Sequence, residues 1–98
     1  MDWTDEGEGE TLCGEITRDA DLIVALPHPS FGTGDVCNHT ITIALADDSA
    51  SELAGVRVVD QCPSTLCGQE DILVSPAVFG HWKDLNSPPI PVVWDWEG

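Results

Sequence analysis

The side chains of this sequence with the clearest capacity for chemistry are its carboxylates. Eighteen Asp and Glu residues stand against three Lys and Arg residues, which gives a formal net charge of −15. Asp60 stands out because it ends a valine-rich predicted strand, Val56 to Val59, just before a Cys-rich loop. A carboxyl group at such a strand end either accepts hydrogen bonds from loop amides or, in a groove that raises its pKa, acts as a general acid. The residues alone favour the first role.

Glycoside hydrolysis needs more than Asp60. Inverting glycosidases place a second carboxylate about 6.5–9.5 Å from the first, which leaves room for a water molecule. Asp5, Asp19 and Asp21 are the candidates, but in a chain this acidic some carboxylate is expected near any point. The three histidines are scattered without the spacing of metal ligands, so we expect neither a metal nor another cofactor.

Four tryptophans offer flat apolar faces on which sugar rings stack, although packing in the core is the alternative role for each. Trp3 is the better candidate for ligand contact, because it precedes a polar, acidic loop. Trp82 is a weaker one. Trp94 is predicted in the core or at a barrel edge, and Trp96 is predicted to be half exposed. The sequence Asn38-His39-Thr40 is a glycosylation sequon, which indicates a modified Asn38 if a eukaryote secretes the chain.

Charge and cysteine content restrict the environment and the partners. The acidic surface argues against nucleic acid and against anionic membranes. A hydrophobic fraction of 42% argues against a disordered acidic tail. Four cysteines in 98 residues favour two disulfides and an oxidising compartment, and their spacing does not suit a four-thiolate zinc site. We therefore expect a secreted protein.

Short β-prone runs separated by Gly and Pro turns predict an all-β domain over residues 1–98. Ile41, Ile43 and Leu45 alternate with the smaller residues Thr42 and Ala44, a period of two that is typical of a half-buried strand. Ser75 and Pro76 predict the start of one helix that extends to about Leu85, since proline suits the first helical position. The predicted strands cover residues 21–26, 39–45, 56–60, 72–74 and 91–96, with a hairpin loop over 47–51.

Several segments together resemble the double-psi β-barrel of the rare lipoprotein A and expansin family. They are Leu12-Cys13-Gly14, the run 19–26, Val58-Val59-Asp60-Gln61-Cys62-Pro63 and Ser75-Pro76-Ala77-Val78-Phe79. The resemblance covers nearly the whole chain and is closest to secreted fungal single-domain forms such as the loosenins. Leu73 stands where the family has a second Asp, and Trp3 alone represents an aromatic pair of the first strand. The resemblance implies a six-stranded barrel with one short helix and a short first strand.

The resemblance also implies where a site lies. Asp60 would face an open groove with Trp3, Asp19 and Asp21, and His28 would line that groove or brace a loop. Asp5 lies near the position at which related family-45 endoglucanases carry their base. Of three possible cysteine connectivities we favour Cys13–Cys37 with Cys62–Cys67, the second of which would close a tight loop.

Three functions are compatible with these residues. Foremost is a secreted monomer that loosens neutral wall polysaccharide, cellulose or chitin, without hydrolysis; its negative charge would disfavour acidic polymers. The enzymatic alternative is a lytic transglycosylase or an endoglucanase that uses Asp60 as general acid. The third is a barwin-like protein-binding module, either a protease inhibitor or a secreted effector, whose acidic surface suits a basic protein partner.

Overall fold

A computed structural model describes residues 1–3, 13–14, 21–27, 31–32, 35–62 and 71–97 of the chain. Six strands and one short helix are formed by these residues. In chain order they are β1 (Asp2–Trp3), β2 (Ile23–Pro27), β3 (Thr40–Leu45), β4 (Asp48–Cys62), β5 (Leu73–Val74), α1 (Pro76–Phe79) and β6 (Val92–Trp96). The strands form one sheet in the order β1-β5-β2-β4-β3-β6.

The sheet mixes parallel and antiparallel pairs in a way that hairpins alone cannot produce. β1 pairs with β5, and β2 with β4, in parallel, whereas β2–β5, β3–β4 and β3–β6 are antiparallel. Parallel neighbours require long crossover connections. The two edges of the sheet meet at Met1 and Ile90, whose backbones exchange hydrogen bonds of 2.8 and 2.9 Å. The predicted six-stranded double-psi β-barrel, with a short first strand, is confirmed.

Alternation of apolar residues places the core inside the curled sheet. Ile41 and Ile43 on β3 are fully buried, and Val24, Val58 and Val74 join them from three other strands. Phe79 is fully buried as well, which seats α1 against the core. The predicted inward face of β3 is therefore confirmed.

The hairpin between β3 and β4 is tighter than predicted. The expected loop over 47–51 is wrong, because β4 begins at Asp48 and continues to Cys62. The first residues of β4 are polar, and the register between β4 and β3 shifts at two places. Gly55, within β4, adopts a positive φ of 75° that few other residues tolerate. A long, bent β4 thus crosses the barrel and carries Asp60 near its end.

Helix α1 is shorter than predicted and its cap differs. It ends at Phe79, not near Leu85, and Gly80 follows it. Gly80 lies so close to the helix that an added Cβ would come within 3.0 Å of the Pro76 carbonyl oxygen. Ser75 occupies the N-cap position, but its hydroxyl makes no cap hydrogen bond and instead donates to the Asp21 carbonyl at 2.5 Å. This bond ties the helix to the start of β2.

Candidate functional site

Asp60 lies on the face of the sheet that points away from the core. A bulge shifts the register of β2 and β4 so that Asp60 lies opposite Ala25, which in turn pairs with Leu73. Ala25 and Leu73 form a small apolar cluster with Cys62, separate from the main core. The half-buried Asp60 accepts a hydrogen bond of 2.8 Å from the Gln61 amide at its Oδ1. This contact with a following backbone amide is the role that the residues alone favour.

The space beside Asp60 is small. The cavity that its described neighbours enclose measures about 10 Å³ and is lined by Asp60 and seven residues of β2, β4, β5 and the α1 cap. Such a volume holds about one water molecule, whereas small-molecule sites typically measure about 300–1,000 Å³. Asp5, Asp19 and His28, which were predicted to share a groove with Asp60, lie outside the described residues. A ligand role for Asp60 stays a prediction.

The other predicted groove residues that the structure describes are not gathered around Asp60. Trp3 lies on β1, three strand positions from β4 and thus roughly 14 Å away along the sheet. Its indole N–H donates to the Leu85 carbonyl at 2.9 Å, and its half-buried ring packs against the core. Asp21 lies just before β2, where its carbonyl accepts the Ser75 hydroxyl. Contact of Trp3 or Asp21 with a ligand stays a prediction.

The predicted disulfide between Cys13 and Cys37 is present. The Cys13 amide donates to the Val59 carbonyl at 3.1 Å, and the Asn38 amide donates to the Val58 carbonyl at 2.9 Å. The bridge thus holds both of its flanking segments against β4. Cys62 is also disulfide-bonded, and its predicted partner Cys67 lies outside the described residues.

The sequon residue Asn38 lies in an exposed turn before β3 with a positive φ of 69°. Asparagine tolerates this left-handed conformation better than most residues, because its short side chain can hydrogen-bond locally. The exposed position would admit a glycan, and modification of Asn38 stays a prediction.

An exposed surface on β6 was not predicted from the sequence. We call it the β6 surface; a depression of about 530 Å³ marks it, lined by Thr42, Ala44, Glu52, Val93, Trp94, Asp95, Trp96 and Glu97. Val93 is 55% exposed and Trp96 38% exposed, which is high for large apolar side chains. An adjoining depression of about 320 Å³ lies between Trp96 and the segment 38–40. The β6 surface is large enough to receive side chains of a partner.

Aromatic contacts fix the side chains at the end of β6. Trp94 and Trp96 lie opposite Ile43 and Ile41, and the two indole centroids are 5.2 Å apart in an edge-to-face arrangement. His39 meets Trp96 edge to face at 6.2 Å. Edge-to-face pairs of this kind are favourable and restrict ring rotation. The Trp96 ring is therefore held in one orientation. It is half exposed, as predicted from the sequence.

The β6 surface is acidic. Its described lining includes Glu52, Asp95 and Glu97 and contains neither Lys nor Arg. Glu97 accepts hydrogen bonds from the Gly55 amide at 2.9 Å and the Thr42 hydroxyl at 3.0 Å. Hydrogen bonds from the Thr40 side chain, from that amide and from Thr42 lower the pKa of Glu97. Glu97 is thus held ionised and in place at the end of the β6 surface.

Comparison with solved structures finds a likeness in fold. The chain is similar to the solved structure of Streptomyces papain inhibitor (SPI), with a TM-score of 0.69 over 92% of this chain and 84% of that one. Sequence identity between the two is 23%, so the likeness shows a shared double-psi β-barrel-like fold and no more. No protein-family model and no curated protein sequence match the chain.

Neither a metal site nor a membrane span emerges from the described part of the chain. Among those residues, no cluster of three or more His, Cys, Asp or Glu side chains is placed to bind a metal ion. None of the helices found there combines the length and the apolar character needed to cross a bilayer.

Proposed function

We propose that this protein is an extracellular protein-binding module that inhibits a papain-like peptidase, with the β6 surface as its contact region. The observation that carries the proposal is the exposed Val93 beside the carboxylates Glu52, Asp95 and Glu97, with the half-exposed Trp96 at the end of the same strand. Interfaces between proteins typically combine an apolar or aromatic centre with a polar rim. Trp is also the residue type that most often dominates binding energy at such surfaces.

Structural likeness supports the choice of partner. SPI is by its name an inhibitor of papain, and it shares this fold over most of both chains. The Cys13–Cys37 disulfide supports an oxidising, extracellular location. The net charge of −15 favours a partner whose contact surface is basic, because opposite charges speed association and exclude acidic competitors.

Titration of papain with this protein tests the proposal. We expect stoichiometric inhibition and expect Trp96→Ala to weaken it by about 30-fold, the effect of an interface residue worth about 2 kcal/mol. Leu85→Ala is the matched control, because Leu85 is 37% exposed, close to the value for Trp96, but lies outside the β6 surface. Equal affinities of the two variants would contradict the assigned surface, and the absence of papain binding would contradict the assigned target.

Polysaccharide binding is the second candidate, and one observation favours it. The depression beside Trp96 joins an aromatic ring to polar groups of Asn38, His39, Thr40 and Glu97, a combination that suits a sugar. Co-sedimentation with insoluble cellulose and chitin distinguishes this function from peptidase binding. Retention on either polymer that Trp96→Ala abolishes, without inhibition of papain, would favour the carbohydrate function.

A further inference from the structure

The outer edge of β6 has backbone groups that point away from the sheet. The Glu97 amide donates to the Thr40 carbonyl, and the Pro91 carbonyl accepts from the Ala46 amide. The backbone N–H and C=O groups of the odd-numbered residues in this segment therefore point towards β3. Since backbone direction alternates along a strand, the N–H and C=O groups of Val92 and Trp94 point the other way. The Ile90 pairing with Met1, on that same outer side, confirms the alternation.

Among the residues that the structure describes, this edge is unpaired over a short, defined length. Within the described residues, β6 pairs with β3 alone, and the amides of Val92 and Trp94 meet no acceptor. One end is closed by Met1 on Ile90, and the other by Asp95, whose Oδ1 accepts the Trp96 amide at 2.8 Å. An unpaired edge of this kind is a template for strand addition by another chain.

We propose that an extended, basic segment of the partner protein adds to β6 as an antiparallel strand. The inference rests on the proposed protein-binding function and specifies its mode. The antiparallel direction follows from Met1, which already pairs with Ile90 in that sense. The backbones of Val92 and Trp94 would supply the main hydrogen bonds.

The side chains of β6 specify what the added strand carries. Val93 and Asp95 are exposed on the same face of the strand. Directly opposed side chains on one face interact, with apolar groups favouring apolar ones and opposite charges attracting. Because the added strand is antiparallel, the residue opposite Asp95 precedes the one opposite Val93 by two positions. The preferred segment is therefore Lys or Arg, any residue, then an apolar residue.

Charge excludes a second copy of this chain as the occupant. Two β6 strands side by side would bring Asp95 and Glu97 of both copies close together, on molecules with a net charge of −15 each. Like charges across a strand pair are destabilising. A basic partner removes this repulsion.

A direct probe is a peptide with blocked termini, in which a lysine precedes a valine by two positions and the other residues are threonines. We expect it to slow hydrogen exchange of the Val92 and Trp94 amides in the wild-type protein, and expect a glutamate-for-lysine peptide to bind about tenfold or more weakly. Protection of other amides, or equal binding of the two peptides, would overturn the proposal.

Paired variants at Val92 isolate the backbone contact. Val92→Pro removes an outward N–H that the sheet does not use, a position where proline is tolerated, while Val92→Ala reports the side-chain effect. We expect Val92→Pro to bind the lysine peptide about tenfold more weakly than Val92→Ala. Equal binding would refute the strand-addition mode. If Val92→Pro does not fold, Asp95→Asn carries the test, and an unchanged preference for the lysine peptide would then refute the proposal.

Inhibition assays with papain distinguish the proposed function from the proposed strand addition. Inhibition that is equal in Val92→Pro and Val92→Ala would leave the proposed function standing and refute strand addition. Peptide binding at the β6 edge without inhibition of papain would support strand addition and refute papain as the target.

Discussion

Removal of the Cys13–Cys37 disulfide is expected to cost about 3.5 kcal/mol of unfolding free energy. The bond joins residues with a sequence separation of 24. A cross-link stabilises mainly by restricting the unfolded chain, and the chain-entropy relation gives ~3.5 kcal/mol at 25 °C for a loop of about this length. Domains of this size have a total stability of about 5–15 kcal/mol, so the double variant Cys13→Ala/Cys37→Ala would lose a large share.

Guanidinium unfolding of wild type and the double variant measures this loss. Ser87→Ala, which alters neither cysteine, is the control variant. The hydrogen bonds from the Cys13 and Asn38 amides to β4 can persist without the sulfur bridge. A loss well above 3.5 kcal/mol, with faster exchange of these two amides, would mean that they break as well. A loss below about 1 kcal/mol would refute the entropic reasoning, because the loop would then already be restricted in the unfolded state.

Four further outcomes are expected. Because hydrogen bonds lower the pKa of Glu97, this carboxylate stabilises the fold above its unfolded pKa, and the contribution is lost as pH falls through the folded pKa. Thermal melts of Glu97→Gln should therefore lie below wild type at pH 7 and converge with it once the pH falls below the folded pKa. As the pH is lowered from 7 to 5, relief of carboxylate repulsion should raise the wild-type melting temperature. A melting temperature that instead falls steadily during this acidification would contradict the charge argument. Ser75→Ala should lose about 1 kcal/mol in chemical denaturation, since it removes the bond to the Asp21 carbonyl, and an unchanged midpoint would show that this bond adds nothing. Neither wild type nor Asp60→Asn should release reducing ends from glucan, chitin or peptidoglycan; turnover lost in the variant would instead identify general acid catalysis, worth about 10²–10⁴-fold.

Local pattern was enough to predict the parts of the fold in which one face of a strand is buried. Alternation predicted β3, the resemblance predicted the six-stranded barrel with its short β1, and the favoured cysteine pairing included the Cys13–Cys37 bridge. The length of β4 was not predictable, because its first residues are polar and Gly55 permits a bend that composition does not reveal. The end of α1 at Phe79 was not predictable either, because Gly80 still has right-handed helical backbone angles and marks no local stop.

The candidate surface was less predictable than the fold. Sequence drew attention to Asp60, whose side chain proved to bond its neighbouring amide beside a cavity of about 10 Å³. The β6 surface depends on which strand lies at the edge of the sheet, and strand order is set by contacts between distant parts of the chain. The exposed Val93, next to a Trp and an Asp, was the one available signal, and it has meaning only once that order is known.

The pairing order of the strands also determines when the protein can fold during synthesis. β1 and β2 pair only with strands made later, β5 for the first and β4 and β5 for the second. The β3–β4 hairpin is the one pairing of consecutive strands that the described residues contain, and it can form on its own. The bond between Met1 and Ile90 spans 89 positions, so this pairing can form only after Ile90 has been synthesised. Non-local pairing of this kind slows folding to about milliseconds or seconds, during which the strand edges are exposed to aggregation.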